Sequence, residues 1–431
     1  MITVYIKPNS LFTNPARWFV GFLAQHLQAK LSTTDKDTER VLKITDEADS
    51  DVCLSHRFYE NLDKKIFNHT VHFAKEPLIR AENGRIDYVA TIFYMVNCLQ
   101  EYSVGNEDLD KYNRFRYEKS YQAKFGIIQE NKVSDLIEEF VRDTPILRGV
   151  FLGKTRRPSQ IFLTHDIDTL YASFVQDGFW AIKRGRLDIL CRLIINELLK
   201  KPAYFNIDKI LKIHSEYDLK STFFWIVTQG RSEDGIKNAD YKLQNQRVQQ
   251  ALMNIQKGGF EAGLHKSSLD LSFETEFSHL PNQHVKANRY HFLRFQLPQA
   301  WQTMSDSGVR LDASLGFAEC YGFRNNYGLP FQPYDFRTGE TMSLVVTPLN
   351  VMDGTLSYYM KVPEAKITEH ILDFFEKNKE NSVLSLLWHN TEFSEFRFKP
   401  YLKVYKEILK YIVETKIQTV TTRDILASFG H

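Results

Sequence analysis

From Pro158 onward, short apolar runs alternate with stretches in which apolar residues recur at helical spacing. The runs are IFLT (161–164), TFFWIV (222–227), FEAGL (260–264), HFLRF (291–295), VRLDA (309–313), LVVT (344–347) and VLSLLW (383–388). Short runs rich in branched and aromatic side chains suit strands buried on both faces of a parallel sheet. Between them Val248, Leu252 and Ile255, and later Leu402, Tyr405, Leu409 and Ile412, mark amphipathic helices. Strand, helix, strand repeated about seven times predicts an α/β barrel or a doubly wound sheet. Upstream the texture differs. Strand-like pieces such as TVYIK (3–7) and VHFAK (71–75) mingle with helical ones, and GNEDLDKYNRFRYEKS (105–120) reads as a long polar loop. The change divides the chain into an expected N-terminal α/β accessory domain over 1–150 and a barrel domain over 151–431.

Composition narrows the class of protein but not its chemistry. In 431 residues, 55 Lys and Arg stand against 53 Asp and Glu, a net charge of +2, so no nucleic acid or other polyanionic partner is expected. Cys53, Cys98, Cys191 and Cys320 are far apart and form no CxxC pair, which argues against a zinc knuckle or a disulfide framework. The opening MITVYIKPNSLF lacks a basic segment followed by an apolar one, so it does not read as a secretory signal. The longest apolar stretch, around 89–99, falls well short of the roughly 20 residues that span a bilayer. A cytoplasmic protein without a membrane span is expected.

The polar residues that follow the apolar runs carry the chemistry. His165, Asp166 and Asp168 follow the first run, His265 the third, and His389 and Asn390 the seventh, while Asp312 lies within the fifth. In a barrel these positions converge on the C-terminal rim, where catalytic groups gather from several strands. Asp is unfavourable inside strands and costly to bury, so two carboxylates in LTHDIDTLY call for a metal, a cation or solvent. The other reading is a loop cap in which Asp bonds local backbone. His265 alone is as readily structural as functional; read with Asp168 it suits an N/O zinc site. His279 and His284 lie on a polar segment that reads as surface loop. Period-2 alternation in NRYHFLRF aims Arg289 and His291 to one side, either into a barrel lumen, where a cation holds an Asp ionised, or out from a solvated edge strand. His389, ending a buried strand, suits a general acid or base. No GxSxG elbow, P-loop or GxGxxG is present, which removes serine hydrolases, nucleotide hydrolases and dinucleotide enzymes from consideration.

The order THDID, TFFWIV, GLH, a strand with paired Arg, and a terminal LWHN resembles the polysaccharide deacetylases of the NodB-homology, carbohydrate esterase 4 (CE4) type. The strings NRYHFLRF, LDASLGFAECYGFR, PLNVMDGTLSYY and LLWHN are similar to a divergent bacterial subgroup with an extra N-terminal domain, which residues 93–127 resemble. The resemblance implies a distorted (β/α)7 barrel and a hydrolase that removes acetyl groups, N-acetyl favoured, from a carbohydrate or glycoconjugate with a divalent metal, usually zinc. On that likeness Asp166 matches the catalytic base, Asp168 and His265 metal ligands, His389 the proton donor to the leaving group, and Arg289 the arginine that orients the base. One position departs. The family's second metal His falls at Leu269, so His291 or His165 must complete the set; His291 is preferred, since its strand still reaches the centre of the rim. Trp225, Trp388 and Asn390 are expected to face substrate, the indoles by stacking on sugar rings, with core packing as the other and commoner fate of such residues. Leu269 also motivates an alternative: a catalytically silent deacetylase-like domain that binds glycan or scaffolds a biosynthetic complex. A small-substrate amidohydrolase is a third reading, marked by a closed pocket. Oligomeric state is left open.

Overall fold

A computed structural model describes residues 2–37, 41–47, 50–280 and 285–430. His284 lies outside the described residues. Strands β1 (Ile2–Ile6), β2 (Leu31–Thr34) and β3 (Leu42–Ile44) form a small parallel sheet in the order β2-β1-β3, covered by helix Thr13–His26. VHFAK, expected as a strand, instead ends a one-turn helix at His72 and continues as loop. Asn68 starts that turn by accepting the Thr70 amide, a local bond that pre-empts a ladder.

The larger sheet is parallel and eight-stranded. It comprises β4 (Gln160–Ile167), β5 (Thr222–Trp225), β6 (Glu261–Lys266), β7 (Ala287–Tyr290), β8 (Leu311–Leu315), β11 (Val345–Pro348), β12 (Val351–Met352) and β13 (Val383–Leu387). Its order is β11-β8-β7-β6-β5-β4-β13-β12; a two-stranded hairpin, β9 (Tyr334–Asp335) with β10 (Glu340–Thr341), stands apart. This is an open (β/α) barrel. No backbone ladder joins β11 to β13. Side chains bridge the gap: the Ser385 hydroxyl donates to the Pro348 carbonyl at 2.6 Å, and the Asn350 amide oxygen accepts the Ser385 N–H at 2.9 Å.

Each expected apolar run enters this sheet except HFLRF, whose strand is the preceding ANRY. At His291 the chain turns, with Phe292 and Leu293 at φ of 59° and 53°. That left-handed conformation ends the ladder and holds His291 at the rim. Between β8 and β11 the described chain has no helix. Residues 316–333 run instead against the N-terminal segment: Asn326 donates to the Ile127 carbonyl, and the Asn131 amide oxygen accepts the Gly328 N–H. Gly322, at φ 138°, lies so close to the Ile128 carbonyl that a Cβ would collide with it. Buried residues of both segments form one continuous apolar cluster.

Candidate active site

Parity along β4 sorts the polar residues. Thr164, Asp166 and Asp168 point to one side and His165 to the other, since successive strand side chains alternate. The outward His165 is fully buried, with Nδ1 2.8 Å from the Trp388 carbonyl and Nε2 3.1 Å from His214 Nε2. It takes no part in the inward cluster. Burial pushes its pKa down to about 4, so it is a neutral structural imidazole. Asp312 also points away, accepting hydrogen bonds from Ser314 Oγ at 2.6 Å and Asn288 Nδ2 at 3.3 Å, and burial raises its pKa to about 6.

Inward, Asp168, His265 and His291 bring one ligand atom each within 4.8 Å of one another. His265 Nε2 lies 3.2 Å from Asp168 Oδ1 and 3.5 Å from Asp166 Oδ2; His291 Nε2 lies 4.0 Å from Asp168 Oδ2. The geometry suits a cation on three counts. Asp168 Oδ1 is buried without a hydrogen-bond partner. His265 Nδ1 faces the Arg289 carbonyl at 3.0 Å, which fixes the tautomer that leaves Nε2 free for a ligand, as metal-binding imidazoles are commonly held. Burial pushes His291 down to about 3 despite Asp168, so its ring is neutral, as ligation requires. Burial also pushes the Asp168 carboxyl up, but the adjoining His265 ring and the neighbouring His291 and His389 rings outweigh it and hold the group well below the usual carboxylate range.

Arg289 crosses the lumen from β7 to β4. Its guanidinium donates to the Ala313 carbonyl at 3.0 Å and Thr164 Oγ1 at 3.0 Å, and stands 3.5 Å from Asp166 Oδ1. The Phe224 ring lies beneath it at 4.8 Å. A buried arginine left without an anion is costly, and the Asp166 carboxylate stands where it offsets that charge.

His389 follows β13. Its Nε2 lies 3.7 Å from Asp168 Oδ2, and its Nδ1 2.7 Å from Asp353 Oδ1. The second Asp353 oxygen accepts the His389 backbone N–H at 2.6 Å. Burial pushes the His389 pKa down, but Asp353, by charge and hydrogen bond, outweighs it and lifts the value to about 10. Asp353 is the member of this group that sequence reasoning passes over. It precedes Gly354, and Asp-Gly reads as turn chemistry.

These groups line a cleft of about 370 Å³. Gln176, Tyr290, Tyr358, Tyr359 and Arg397 contribute, together with Arg114 from the N-terminal segment. Arg114 donates to the Phe292 carbonyl at 3.0 Å and the Tyr359 hydroxyl at 3.2 Å, and pairs with Asp110 at 2.6 Å. The 105–120 segment, expected as a long polar loop, contributes Arg114 to the cleft wall. Three expectations need correction. Trp225 and Trp388 are fully buried, packed edge-on to Tyr241 and against Tyr405 respectively, so neither indole faces a sugar. Asn390 is buried as well and donates to the Thr169 and Tyr204 carbonyls, pinning the loops behind the rim. The exposed aromatics of the cleft are Phe292, Tyr358 and Tyr359. Leu269 lies in the wall of a neighbouring cavity of about 520 Å³ that His291 also lines.

Among solved structures, the chain is similar to a Mycobacterium smegmatis protein assigned as a polysaccharide deacetylase (14% identity, 63% of this chain and 90% of that one, TM-score 0.38). It is also similar to the peptidoglycan deacetylase PdaC from Bacillus subtilis (13%, 64% and 93%, TM-score 0.28). A third likeness is to a CE4 family pseudoenzyme from Bacillus anthracis (12%, 63% and 66%, TM-score 0.31). Residues 13–143 match the family of unknown function DUF7033. No curated protein matches the chain in sequence.

Proposed function

We propose that the protein is a metal-dependent hydrolase that removes acetyl groups, N-acetyl foremost, from a carbohydrate or glycoconjugate. One observation carries this reading: a two-histidine, one-carboxylate cluster lies between a carboxylate paired with a buried arginine and an imidazole paired with a second carboxylate. Asp168, His265 and His291 would hold the metal, and their donor set of two imidazole nitrogens and a carboxylate oxygen suits catalytic zinc. When bound, zinc supplies Lewis acidity toward an acetyl carbonyl and toward water.

The chain's own residues supply the proton transfers. Asp166, held beside Arg289, takes the proton from the attacking water. His389, kept protonated by Asp353, gives its Nε2 proton to the departing amine as the C–N bond breaks, which releases acetate and a free amine. Phe292, Tyr358 and Tyr359 offer ring faces to the sugar. The silent-domain alternative draws on Leu269, and His291 answers that shortage of ligands from another strand.

The test is acetate release from N-acetylated oligosaccharides by zinc-loaded protein, read beside zinc-dependent thermal stability. Wild type should release acetate, and zinc should raise its Tm. Asp166→Asn should lose at least about 100-fold in kcat yet keep the zinc-dependent shift. His291→Ala should lose both. A zinc-stabilised wild type that releases no acetate from any acetylated sugar would leave the glycan-binding reading in its place.

A further inference from the structure

Immediately after β4, helices Ser173–Lys183 and Leu187–Leu198 form a hairpin that leans on the barrel through a small separate core of Ala181, Ile189, Leu193 and Phe396. Its outer face is apolar and uncovered. Val175, Phe179 and Ile182 stand at helical spacing on the first helix, and Leu187, Ile195 and Leu198 do so on the second; all six are between 53% and 77% exposed. Apolar residues arranged this way normally seek a partner. Around them stand Lys183, Arg184, Arg186, Arg192, Lys200 and Lys201, all exposed. The only acidic residues of the hairpin are Asp177, buried against Tyr204 and Ser394, Asp188, paired with Arg186 at 2.7 Å, and Glu197.

From this juxtaposition we infer that the hairpin docks on an anionic lipid bilayer, its aliphatic and Phe side chains in the acyl boundary and its basic rim on the headgroups. Helices with an apolar face and Lys or Arg beside it lie in the membrane interface in this manner. Lys183 already lays its chain over Phe179, with Nζ 4.6 Å from the ring centre, the arrangement that lets an amine reach headgroups while its stem stays apolar. A second copy of the chain fits less well, because a two-fold contact through this face would set its basic rim against itself. Neither helix is long and apolar enough to cross a membrane. The first helix contributes Gln176 to the cleft wall, so docking brings the cleft mouth to the lipid surface. The inference does not depend on the hydrolytic reading.

Co-sedimentation of the full chain with vesicles tests it. Phosphatidylcholine vesicles containing phosphatidylglycerol should bind the protein, pure phosphatidylcholine vesicles should bind it weakly, and high salt should release it. The triple substitution Phe179→Ser, Ile195→Ser, Leu198→Ser, at exposed positions, should lower partitioning about tenfold or more with Tm unchanged. Lys183→Glu with Lys200→Glu should do so only on the anionic vesicles. No binding to either vesicle would overturn the inference. So would equal binding by the triple variant, or a dimer in light scattering that the triple variant abolishes while vesicles bind nothing.

Discussion

Asp353 shows how much one carboxylate alters at the scale of a residue. Both of its oxygens are spent on His389, one on the ring and one on the backbone amide, so it sets the orientation and the charge of that imidazole together. A group whose pKa is raised on folding adds stability that is fully present below its ordinary value near 6.5, and that is lost as pH rises through the folded value of about 10. The same shift keeps the proton on His389 available across the neutral range. In Asp353→Asn the ring loses its main source of positive shift and falls toward its ordinary value. The alkaline limb of the kcat/KM profile should then move at least about one pH unit lower, and a full return to the ordinary value would cost roughly 30-fold near pH 8. A profile that keeps its alkaline limb would mean that another group gives the proton. Arg289 needs no such helper, since its buried guanidinium is fixed between two strands, by Ala313 on β8 and by Thr164 and Asp166 on β4.

Among the elements, the strands were readable and their sidedness was nearly so. The two-residue alternation in THDID already separates His165 from Asp166 and Asp168, and the alternation in NRYH places Arg289 and His291 together. The sequence does not reveal which buried aromatic has neighbours on all sides. Trp225 and Trp388 end strands, where rim exposure is the simple expectation, yet Tyr241 and Tyr405 arrive from later in the chain to cover them. Asp353 was hidden for a related reason, because its partner lies on a different strand and its own neighbourhood is a turn. Packing between strands also leaves little slack. A Cβ on Gly263 of β6 would stand 2.7 Å from the Phe224 ring and 3.2 Å from the Ala287 carbonyl. Gly263→Ala should therefore cost about 1–3 kcal/mol in denaturant unfolding. Because Phe224 lies beneath Arg289, the same substitution should also lower kcat more than it raises KM. Unchanged stability would show that the ring has room to move.

Across the whole molecule, the N-terminal segment and the barrel are tied by charge as well as by apolar packing. Arg324 and Glu101 meet through two bonds, at 2.6 and 2.9 Å, with both side chains buried. Removing one partner of a buried pair leaves the other uncompensated, so Arg324→Met should cost about 3–5 kcal/mol. Wild type should melt in a single transition because one core serves both segments. Two resolved transitions in calorimetry would contradict that coupling. None of this was legible in the polar 105–120 stretch, whose partners lie far away in sequence and whose composition is that of any solvated loop. Arg114 carries the coupling into the cleft itself. One part of the cleft wall, Arg114, thus belongs to a different stretch of the chain from Asp166 and His389. A change at that position can alter what the cleft admits while the titratable groups stay as they are. A chimera pairing this barrel with a relative's N-terminal segment would keep Asp166, His389 and the ring faces of Phe292, Tyr358 and Tyr359, and exchange only the side of the cleft that Arg114 forms.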